Sequence, residues 1–318
     1  MLRRVGILAF SMVLCTLLLS ACAATGVREV TQNKQLPRQA ELINTPFYPQ
    51  TLYQCGPAAL ATALNAVQIS VTPEQLTPEV YIPSREGSLQ IEMLAATRRH
   101  GALAVQIPPK LDAVIQEIAA GHVVVVMQNL GLSWAPSWHY AVVVGYDLNQ
   151  EKIWLRSGTF KRFEMTLSSF QRTWARSEYW AFVALQPGQL PASAEVESVV
   201  KALIAFEKTA NKQARLLAYQ AAVMRWPEHL ILLMGLGNAA YYANDLTAAA
   251  AAFQQAVDKH PTAAAAYNNL ANVLLAQGHA VQAEKVVQQG LKVVGEDAQL
   301  TAQLKQTLTE IKAYQTQH

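Results

Sequence analysis

The sequence predicts an α+β domain followed by an all-α solenoid built from helical repeats. Between residues 44 and 186, segments with a helical pattern alternate with short runs of β-branched and aromatic residues, as is typical of a mixed domain. Beyond residue 195 the chain is rich in alanine, and similar residues recur at a spacing of 34 positions, as is typical of helical repeats. A chain of 318 residues is long enough for each of these two domains to have its own core.

The elements of the first domain, at 44–186, follow from these patterns. Helices are predicted at 57–67, 88–100 and 110–120, and strands at 122–128, 140–146, 152–157 and 179–185. The segment 187–195 begins with Pro-Gly-Gln-Leu-Pro, which breaks both patterns and predicts a linker.

The second domain, at 196–318, carries the residue pattern of tetratricopeptide repeats. Leu233 and Gly237 occupy pattern positions in one unit, and Tyr267 and Ala271 occupy the same positions in the next. Three units fit, at 196–229, 230–263 and 264–297, with a closing helix at 298–315. A generic alanine-rich bundle is the alternative, but a fixed period favours repeats stacked as a solenoid. The resemblance to tetratricopeptide proteins implies that this domain binds a protein partner.

The N-terminal residues 1–21 predict a lipoprotein signal peptide. Arg3 and Arg4 precede an apolar stretch, and the run Leu-Ser-Ala-Cys that ends at Cys22 matches a bacterial lipobox. A transmembrane helix is the alternative, but the stretch is shorter than the roughly 20 residues that cross a bilayer. We therefore expect Cys22 to be lipidated, with 22–43 as a polar tether. Because Ala23 rather than Asp follows Cys22, we expect the outer membrane of a bacterial envelope, facing the periplasm.

Cys55 is the one thiol that this scheme leaves free, since Cys15 is removed with the signal and Cys22 is lipidated. Gly56 and Pro57 follow it, and proline is favoured at the first positions of a helix. A thiol at a helix N-terminus faces the positive end of the helix dipole, which predicts a lowered pKa and a reactive thiolate. A buried structural cysteine is the alternative.

His139 begins an apolar run, Tyr140 to Tyr146, that predicts a strand. An imidazole at that position can take the proton of a cysteine thiol and return it to a leaving group. His122 is expected to be structural. Four further histidines, His100, His229, His260 and His279, fall on helix or repeat ends and are expected to be solvated.

Charge and residue spacing argue against several functional classes. The signal contains two of the 25 basic residues, which leaves 23 against 22 acidic residues in the mature chain. A net charge so close to zero gives no reason to expect nucleic acid as a partner. No pair of histidines or cysteines has the spacing of a zinc site, so we expect neither a metal nor another cofactor.

Gln50, the run Cys-Gly-Pro-Ala-Ala-Leu at 55–60 and the run beginning at His139 resemble the bacteriocin-processing, double-glycine cysteine peptidases. The resemblance covers residues 44–186 and implies a papain-like fold that hydrolyses a protein or peptide substrate. It also implies that the Gln50 side-chain amide forms an oxyanion hole with the backbone N–H of Cys55. Gln54, directly before the cysteine, is the competitor for that role.

The third catalytic position departs from the family pattern. The family places an aspartate on the strand that follows the histidine strand, whereas this chain has Ile-Trp-Leu-Arg-Ser-Gly at 153–158. Asp147 lies eight residues from His139, which is about 26 Å along an extended strand. A hairpin that turns at 148–151 returns Ser157 to the side of His139 instead. A serine hydroxyl can orient an imidazole but stabilises imidazolium less than a carboxylate does.

The neutral third residue leaves alternatives to a lipid-anchored cysteine peptidase open. One is a pseudo-peptidase that binds a peptide without cleaving it. Another is an amidase or transpeptidase that acts on cell-wall peptide or a different amide, since the same Cys55 and His139 support that chemistry. Trp134, Trp138 and Tyr140 flank the histidine, and either a substrate groove or simple core packing accounts for them.

Overall fold

The computed structural model describes residues 26–49 and 54–317. The chain forms two compact units, the first running through Gln186 and taking in Pro191–Ser198, and the second comprising Pro187–Leu190 and the chain from Val199 onwards. The first unit contains helices and a sheet, and the second is helical. The predicted order, an α+β domain followed by helical repeats, is therefore confirmed.

The first unit contains six helices and nine strands within the described residues. The helices are α1 at 26–32, α2 at Cys55–Ala66, α3 at Pro73–Val80, α4 at Gln90–Arg99, α5 at Leu111–Ala119 and α6 at Leu167–Ala175. The strands are β1 at Gln39–Glu41, β2 at Tyr81–Ile82, β3 at Gly87–Ser88, β4 at Leu103–Gln106, β5 at Val124–Asn129, β6 at Trp138–Asp147, β7 at Lys152–Ser157, β8 at Phe160–Thr166 and β9 at Ala181–Leu185. A 3-10 turn at Pro83–Arg85 joins β2 to β3.

The main sheet is antiparallel and has the order β4-β9-β5-β6-β7-β8. Strand β6 is its longest member, and one of its edges pairs with β7. The other edge pairs first with β5 and then, through Gly145, Tyr146 and Asp147, with β1. Pairing along both edges holds β6 in place, so its first residues sit at a defined end of the sheet.

Helix α2 is buried along most of its length. Nine of its 12 residues are buried, because alanines and leucines cover all of its sides. It packs with Val125, Val142 and Phe182 of the sheet in one apolar cluster. A helix with so little exposed surface cannot shift without opening the core, and its N-terminal residue is held correspondingly firmly.

A β-bulge interrupts the pairing of β6 with β7. Val143 pairs with Leu155, but Gly145 pairs with Trp154, so Val144 is an extra residue on β6. Gly145 is required here, because a Cβ atom at that position would lie 2.8 Å from the Trp154 ring and 2.9 Å from the Ala40 carbonyl oxygen. The bulge shifts the register of everything that follows on β7 by one residue.

Residues 26–43 are part of the first unit, so the prediction of a polar tether at 22–43 is wrong over this range. Val27, Val30 and Leu36 are buried, and β1 pairs with β6. The sequence shows no clear period there because the helix is short and the strand has only three residues. Residues 22–25, and the predicted signal peptide at 1–21, lie outside the described residues.

Helices α7 to α13 form the second unit, except that the first three residues of α7 belong to the first unit. They are α7 at Val196–Phe206, α8 at Lys212–Arg225, α9 at Leu230–Tyr242, α10 at Leu246–Lys259, α11 at Ala264–Ala276, α12 at Ala280–Val293 and α13 at Ala298–Gln317. Each of the three predicted repeats contains one pair of these helices, and α13 is the closing helix. Gly237 of α9 lies against Phe253 of α10, where a Cβ atom would come within 2.5 Å of the ring.

Within residues 26–49 and 54–317, no helix is both long enough and apolar enough to cross a bilayer.

Val30 provides a test of whether α1 belongs to the folded domain. Its side chain is 1% exposed, whereas Arg28 on the same helix is exposed. Val30→Asp should lower the free energy of unfolding of the first unit by about 3 kcal/mol or more, because it buries an unpaired carboxylate. Arg28→Asp is the matched control and should change it by less than about 0.5 kcal/mol. Equal denaturation midpoints for the two variants would instead support the predicted tether.

Candidate active site

Cys55 is the first residue of α2, and Gln54 is the residue that caps this helix. The carbonyl oxygen of Gln54 accepts a hydrogen bond from Ala58 N–H at 3.2 Å, and its side chain is exposed. Gly56 allows the strand β3 to approach closely, because a Cβ atom there would lie 2.2 Å from Ser88 Oγ. The nucleophile candidate is therefore fixed between a buried helix and β3.

Burial raises the pKa of the Cys55 thiol above its ordinary value. The backbone N–H groups of Tyr140, Gly56 and Cys55 itself act in the opposite direction, since they favour the thiolate. Burial is the larger effect. The expectation of a lowered pKa is therefore wrong in its net direction, although the helix N-terminus contributes as expected.

His139 is the second residue of β6, and its Nε2 atom lies 2.8 Å from Ser157 Oγ. This is the hydrogen bond that the sequence predicts between these two side chains. Burial lowers the pKa of His139, so the imidazole is neutral near pH 7. Because Nε2 is engaged with Ser157, Nδ1 is the ring nitrogen left to accept a proton.

Asp147 lies at the other end of the hairpin, as predicted. Its Oδ1 atom accepts hydrogen bonds from Asn149 N–H at 2.8 Å and Gln150 N–H at 3.0 Å. These bonds close the turn between β6 and β7, at 148–151. Asp147 is thus a turn residue and has no part in the site.

Cys55 and His139 line one cavity of about 760 Å³. The cavity is open at the surface, and its walls come from five parts of the chain. Its other lining residues are Arg85, Glu86, Gly87, Ser88, Leu89, Gln90, Met127, Ser137, Trp138, Tyr140 and Gly158. The structure therefore brings together the cysteine, the histidine and, through its neighbour Gly158, the serine end of β7.

The wall formed by residues 85–90 is absent from the sequence prediction, which began a helix at residue 88. The segment is instead the β2–β3 hairpin and the start of α4. The signal was present in Pro-Ser-Arg-Glu-Gly at 83–87, which is a turn composition. Glu86 has a left-handed φ of 48°, and Gly87 follows it.

Tyr140 and Ser88 form the floor beside Cys55. The Tyr140 hydroxyl donates a hydrogen bond to the Ser88 carbonyl oxygen at 3.2 Å. Burial, and the nearness of Cys55, raise the pKa of Tyr140, so the phenol stays protonated. Ser88 Oγ is buried and has no hydrogen-bond partner among the described residues. An uncharged hydroxyl group without a partner among the described residues therefore lies against Gly56, the residue that follows Cys55.

The remaining predicted residues have separate positions. Gln50, the expected oxyanion donor, and Cys22, the expected lipidation site, lie outside the described residues. His122 is structural, because its Nδ1 atom lies 2.7 Å from the buried Glu117 carboxylate. His100 is not simply solvated, since it is partly buried and lies 2.9 Å from Glu79. No group of three or more potential metal ligands occurs among the described residues.

The three aromatic residues around the histidine differ in environment. Tyr140 is buried and packs edge-on against Trp180 at 5.7 Å between ring centroids. Trp138 is 51% exposed and lines the cavity, whereas Trp134 is 83% exposed and does not line it. Core packing therefore accounts for Tyr140 and a groove for Trp138, whereas neither accounts for Trp134.

Two family models match the chain. Residues 42–181 match the Peptidase_C39 like family, and residues 234–298 match a tetratricopeptide repeat family. No curated protein matches the chain.

Solved structures resemble each part separately. A C39-like peptidase from Bacillus anthracis is 17% identical, with a TM-score of 0.40, and the match covers 47% of this chain and 98% of that one. The Yersinia enterocolitica type III secretion chaperone SycD, in complex with a peptide of the translocator YopD, is 14% identical, with a TM-score of 0.36, and the match covers 38% of this chain and 94% of that one.

The pH dependence of Cys55 alkylation tests the electrostatics of the site. Because the pKa of the thiol is raised, the rate constant with iodoacetamide should still be rising above about pH 8.5, where an ordinary thiol is half ionised. Ser157→Asp places a carboxylate against His139, which favours imidazolium and, through it, the thiolate. This variant should therefore reach its plateau at lower pH than wild type, with the modified residue identified by peptide mass spectrometry.

Two controls accompany that profile. Ser157→Asn has the size of the aspartate without its charge and should keep the wild-type profile. Asp147→Ala should lower stability by about 1–2 kcal/mol, because it removes two turn hydrogen bonds, and leave the profile unchanged. A wild-type plateau below pH 7, or a Ser157→Asp profile identical to wild type, would contradict this description of the site.

Proposed function

We propose that this chain, with its Peptidase_C39-like domain and its tetratricopeptide repeats, is a lipid-anchored envelope cysteine peptidase whose repeats recruit a protein partner. One observation supports this most strongly. The thiol at the start of α2 and an imidazole hydrogen-bonded to Ser157 line the same open cavity. Nucleophile, base and orienting group are the three parts that thiol-dependent acyl transfer requires.

In the proposed reaction Cys55 Sγ attacks the carbonyl carbon of a peptide bond, and Nδ1 of His139 takes the thiol proton. The backbone N–H of Cys55 and the side-chain amide of Gln50 donate hydrogen bonds to the oxyanion. When the C–N bond breaks, His139 returns its proton to the leaving amine. A water molecule, deprotonated by His139, then hydrolyses the thioester and restores the thiol.

The neutral side chain of Ser157 predicts a low catalytic rate. In a serine protease, replacing the triad aspartate by a neutral amide lowers kcat by about 10⁴-fold. Ser157 Oγ can hold the ring through Nε2, but it adds no charge to stabilise imidazolium. The raised pKa of Cys55 and the lowered pKa of His139 act in the same direction, since both favour the neutral pair. A slow enzyme, or one that is activated when substrate fills the cavity, fits these properties.

The same three observations favour a second candidate, a pseudo-peptidase that binds peptides without cleaving them. A neutral thiol beside a neutral imidazole has the polar groups of a binding site but little thiolate. The cavity, with Ser88 and Gln90 on its wall, offers polar residues to an extended peptide. The two candidates differ only in whether Cys55 becomes acylated.

The repeats and the lipobox support the proposed partner and the proposed location. Tetratricopeptide repeats mediate protein interactions, and the helix pairs of the second unit form such a module. The lipobox that ends at Cys22 supports attachment to the outer membrane, on its periplasmic side. Several acyl chains on Cys22 would make this attachment firm. Mass spectrometry of the mature N-terminus tests the anchor independently of the chemistry.

Labelling by peptide electrophiles tests the proposed activity. Wild-type protein, incubated with a library of peptidyl vinyl sulfones, should gain one adduct, located on Cys55. His139→Ala should reduce the labelling rate at least about tenfold, because it removes the general base. Both His139→Ala and Cys55→Ala should keep the wild-type melting temperature within a few degrees.

Hydrolysis of peptides from the same library separates the two candidates. Turnover that Cys55→Ala abolishes supports the peptidase. Labelling without turnover would support the peptide-binding candidate. Turnover that persists in Cys55→Ala would overturn both.

A further inference from the structure

The loop between β5 and β6, taken together with Trp138 at the start of β6 (residues 130–138), exposes an unusual amount of apolar surface. Leu130, Leu132, Trp134 and Trp138 are 50%, 53%, 83% and 51% exposed, respectively. No charged residue occurs between positions 130 and 138. Scattered exposed apolar residues are normal in soluble proteins, but four in one short segment mark an interaction site. We call this segment the apolar loop.

Hydrogen bonds hold the apolar loop in shape. Asn129 Oδ1 accepts from the N–H groups of Gly131 and Ser137, both at 2.9 Å. Leu132 and Ala135 exchange two backbone hydrogen bonds across the tip, at 3.1 and 3.2 Å. Gly131 permits this fold, since a Cβ atom there would lie 2.4 Å from the Ala135 carbonyl oxygen. These hydrogen bonds hold the loop in a conformation that leaves its leucines and tryptophans exposed.

Helix α6 contacts both the apolar loop and Gly26, the first described residue. At one position, Gly26 lies against Gln171, where a Cβ atom would come within 2.5 Å of Nε2. At the other, Arg176, which caps α6, donates hydrogen bonds to the carbonyl oxygens of Asn129 and Gly131 at 3.3 and 2.6 Å. Gln171 and Arg176 are five positions apart, which corresponds to a rise of about 8 Å.

The lipobox cysteine lies only four residues before Gly26. Four residues span at most about 14 Å. An acylated Cys22 would therefore bring the bilayer to the same end of the unit as the apolar loop. Tryptophan is enriched where protein meets the lipid–water boundary, and an uncharged apolar segment is suited to enter it.

We propose that the apolar loop is a membrane-contact element that inserts Leu132 and Trp134 into the lipid interface beside the Cys22 anchor. The anchor of the proposed function supplies the direction, while the affinity of the loop for lipid is a property of the folded domain alone. Ser137 and Trp138 also line the cavity of Cys55. Insertion would hold the mouth of this cavity next to the bilayer, where membrane-associated polypeptides are the accessible substrates.

The test uses a chain that starts at Ala23, which keeps every described residue and lacks the anchor. Its partition onto phosphatidylcholine vesicles is measured by sedimentation, and brominated acyl chains report the depth of tryptophan by quenching. Leu132→Ala combined with Trp134→Ala should reduce partition about tenfold or more, because it removes most of the inserting surface. Trp134→Phe should remove most of the quenching while largely preserving partition.

A matched control removes exposed apolar surface elsewhere in the same unit. Ile43 and Ile91 are 65% and 66% exposed, and replacing both by alanine should leave partition within twofold of wild type. Circular dichroism and melting temperature establish that each variant is folded. Equal partition of wild type and the Leu132/Trp134 variant, or quenching that survives Trp134→Phe, would overturn the proposal.

A protein or peptide partner is the other possible occupant of the apolar loop. If the Leu132/Trp134 variant changes Cys55 labelling without vesicles, and wild type does not bind vesicles, the loop belongs to substrate binding and the membrane proposal is wrong. Cys55→Ala should bind vesicles as wild type does. Failure of the catalytic proposal would thus appear in the labelling experiment and failure of the membrane proposal in the partition experiment.

Discussion

The single extra residue in β6 decides which face of the sheet Ser157 occupies. Between the turn and the pair formed by Gly145 and Trp154, the two strands keep one register. If that register continued along the strands, Ser157 would pair with Val142, and its side chain would lie on the face of the sheet away from His139. The bulge at Val144 moves the register by one, so that Val142 pairs with Arg156 and Ser157 falls opposite Ala141. That position follows from continuing the observed register by one residue. Ala141 and His139 share a face, and the Ser157 hydroxyl lies 2.8 Å from the imidazole Nε2 atom.

Several neighbouring features support that bulge. Val144 directs its carbonyl oxygen to Leu42 N–H at 2.7 Å, so the segment after β1 uses a group that the bulge provides. Arg156, which immediately precedes Ser157, is buried and donates hydrogen bonds to the carbonyl oxygens of Ile43 and Thr45 at 3.1 Å. The chain before α2 is thus fastened to the same strand that carries Ser157. Two parts of the candidate site, the cysteine helix and the serine strand, share one support.

The site balances burial against polar stabilisation, and burial dominates. The N-terminus of α2 favours the thiolate, as elementary electrostatics requires, but the close packing that positions Cys55 also removes it from water. A carboxylate at position 157 would offset that cost by stabilising an imidazolium partner. With serine there, the resting pair is neutral, and the same arrangement is compatible with slow catalysis or with peptide binding.

Residues whose chemistry is local can be predicted from the sequence, whereas residues placed by long-range packing cannot. Cys55, His139 and the tetratricopeptide units follow from motifs and periods, and the structure brings the first two into one cavity. The prediction that Ser157 lies beside His139 agrees with the structure, but counting residues from the turn does not justify it. The β-bulge brings the two residues together, and its only sign in the sequence is Gly145. The predicted tether is wrong at 26–43 because β1 pairs with β6 and α1 contacts α6, and no local pattern encodes these contacts. The predicted direction of the Cys55 pKa shift is wrong for the same reason, because the burial of the thiol also depends on long-range packing.

The protonation of His139 is the property on which the proposed chemistry depends most directly. Long-range proton–nitrogen NMR of the wild-type protein, with His139 assigned from the spectrum of His139→Gln, measures it. We expect a neutral ring at pH 7 with the proton on Nε2, donated to Ser157 Oγ, and with Nδ1 free to accept the proton of Cys55. The signals should titrate at a pH below that of an ordinary histidine, about 6.5. A ring protonated on Nδ1 alone, or one still charged at neutral pH, would contradict this mechanism.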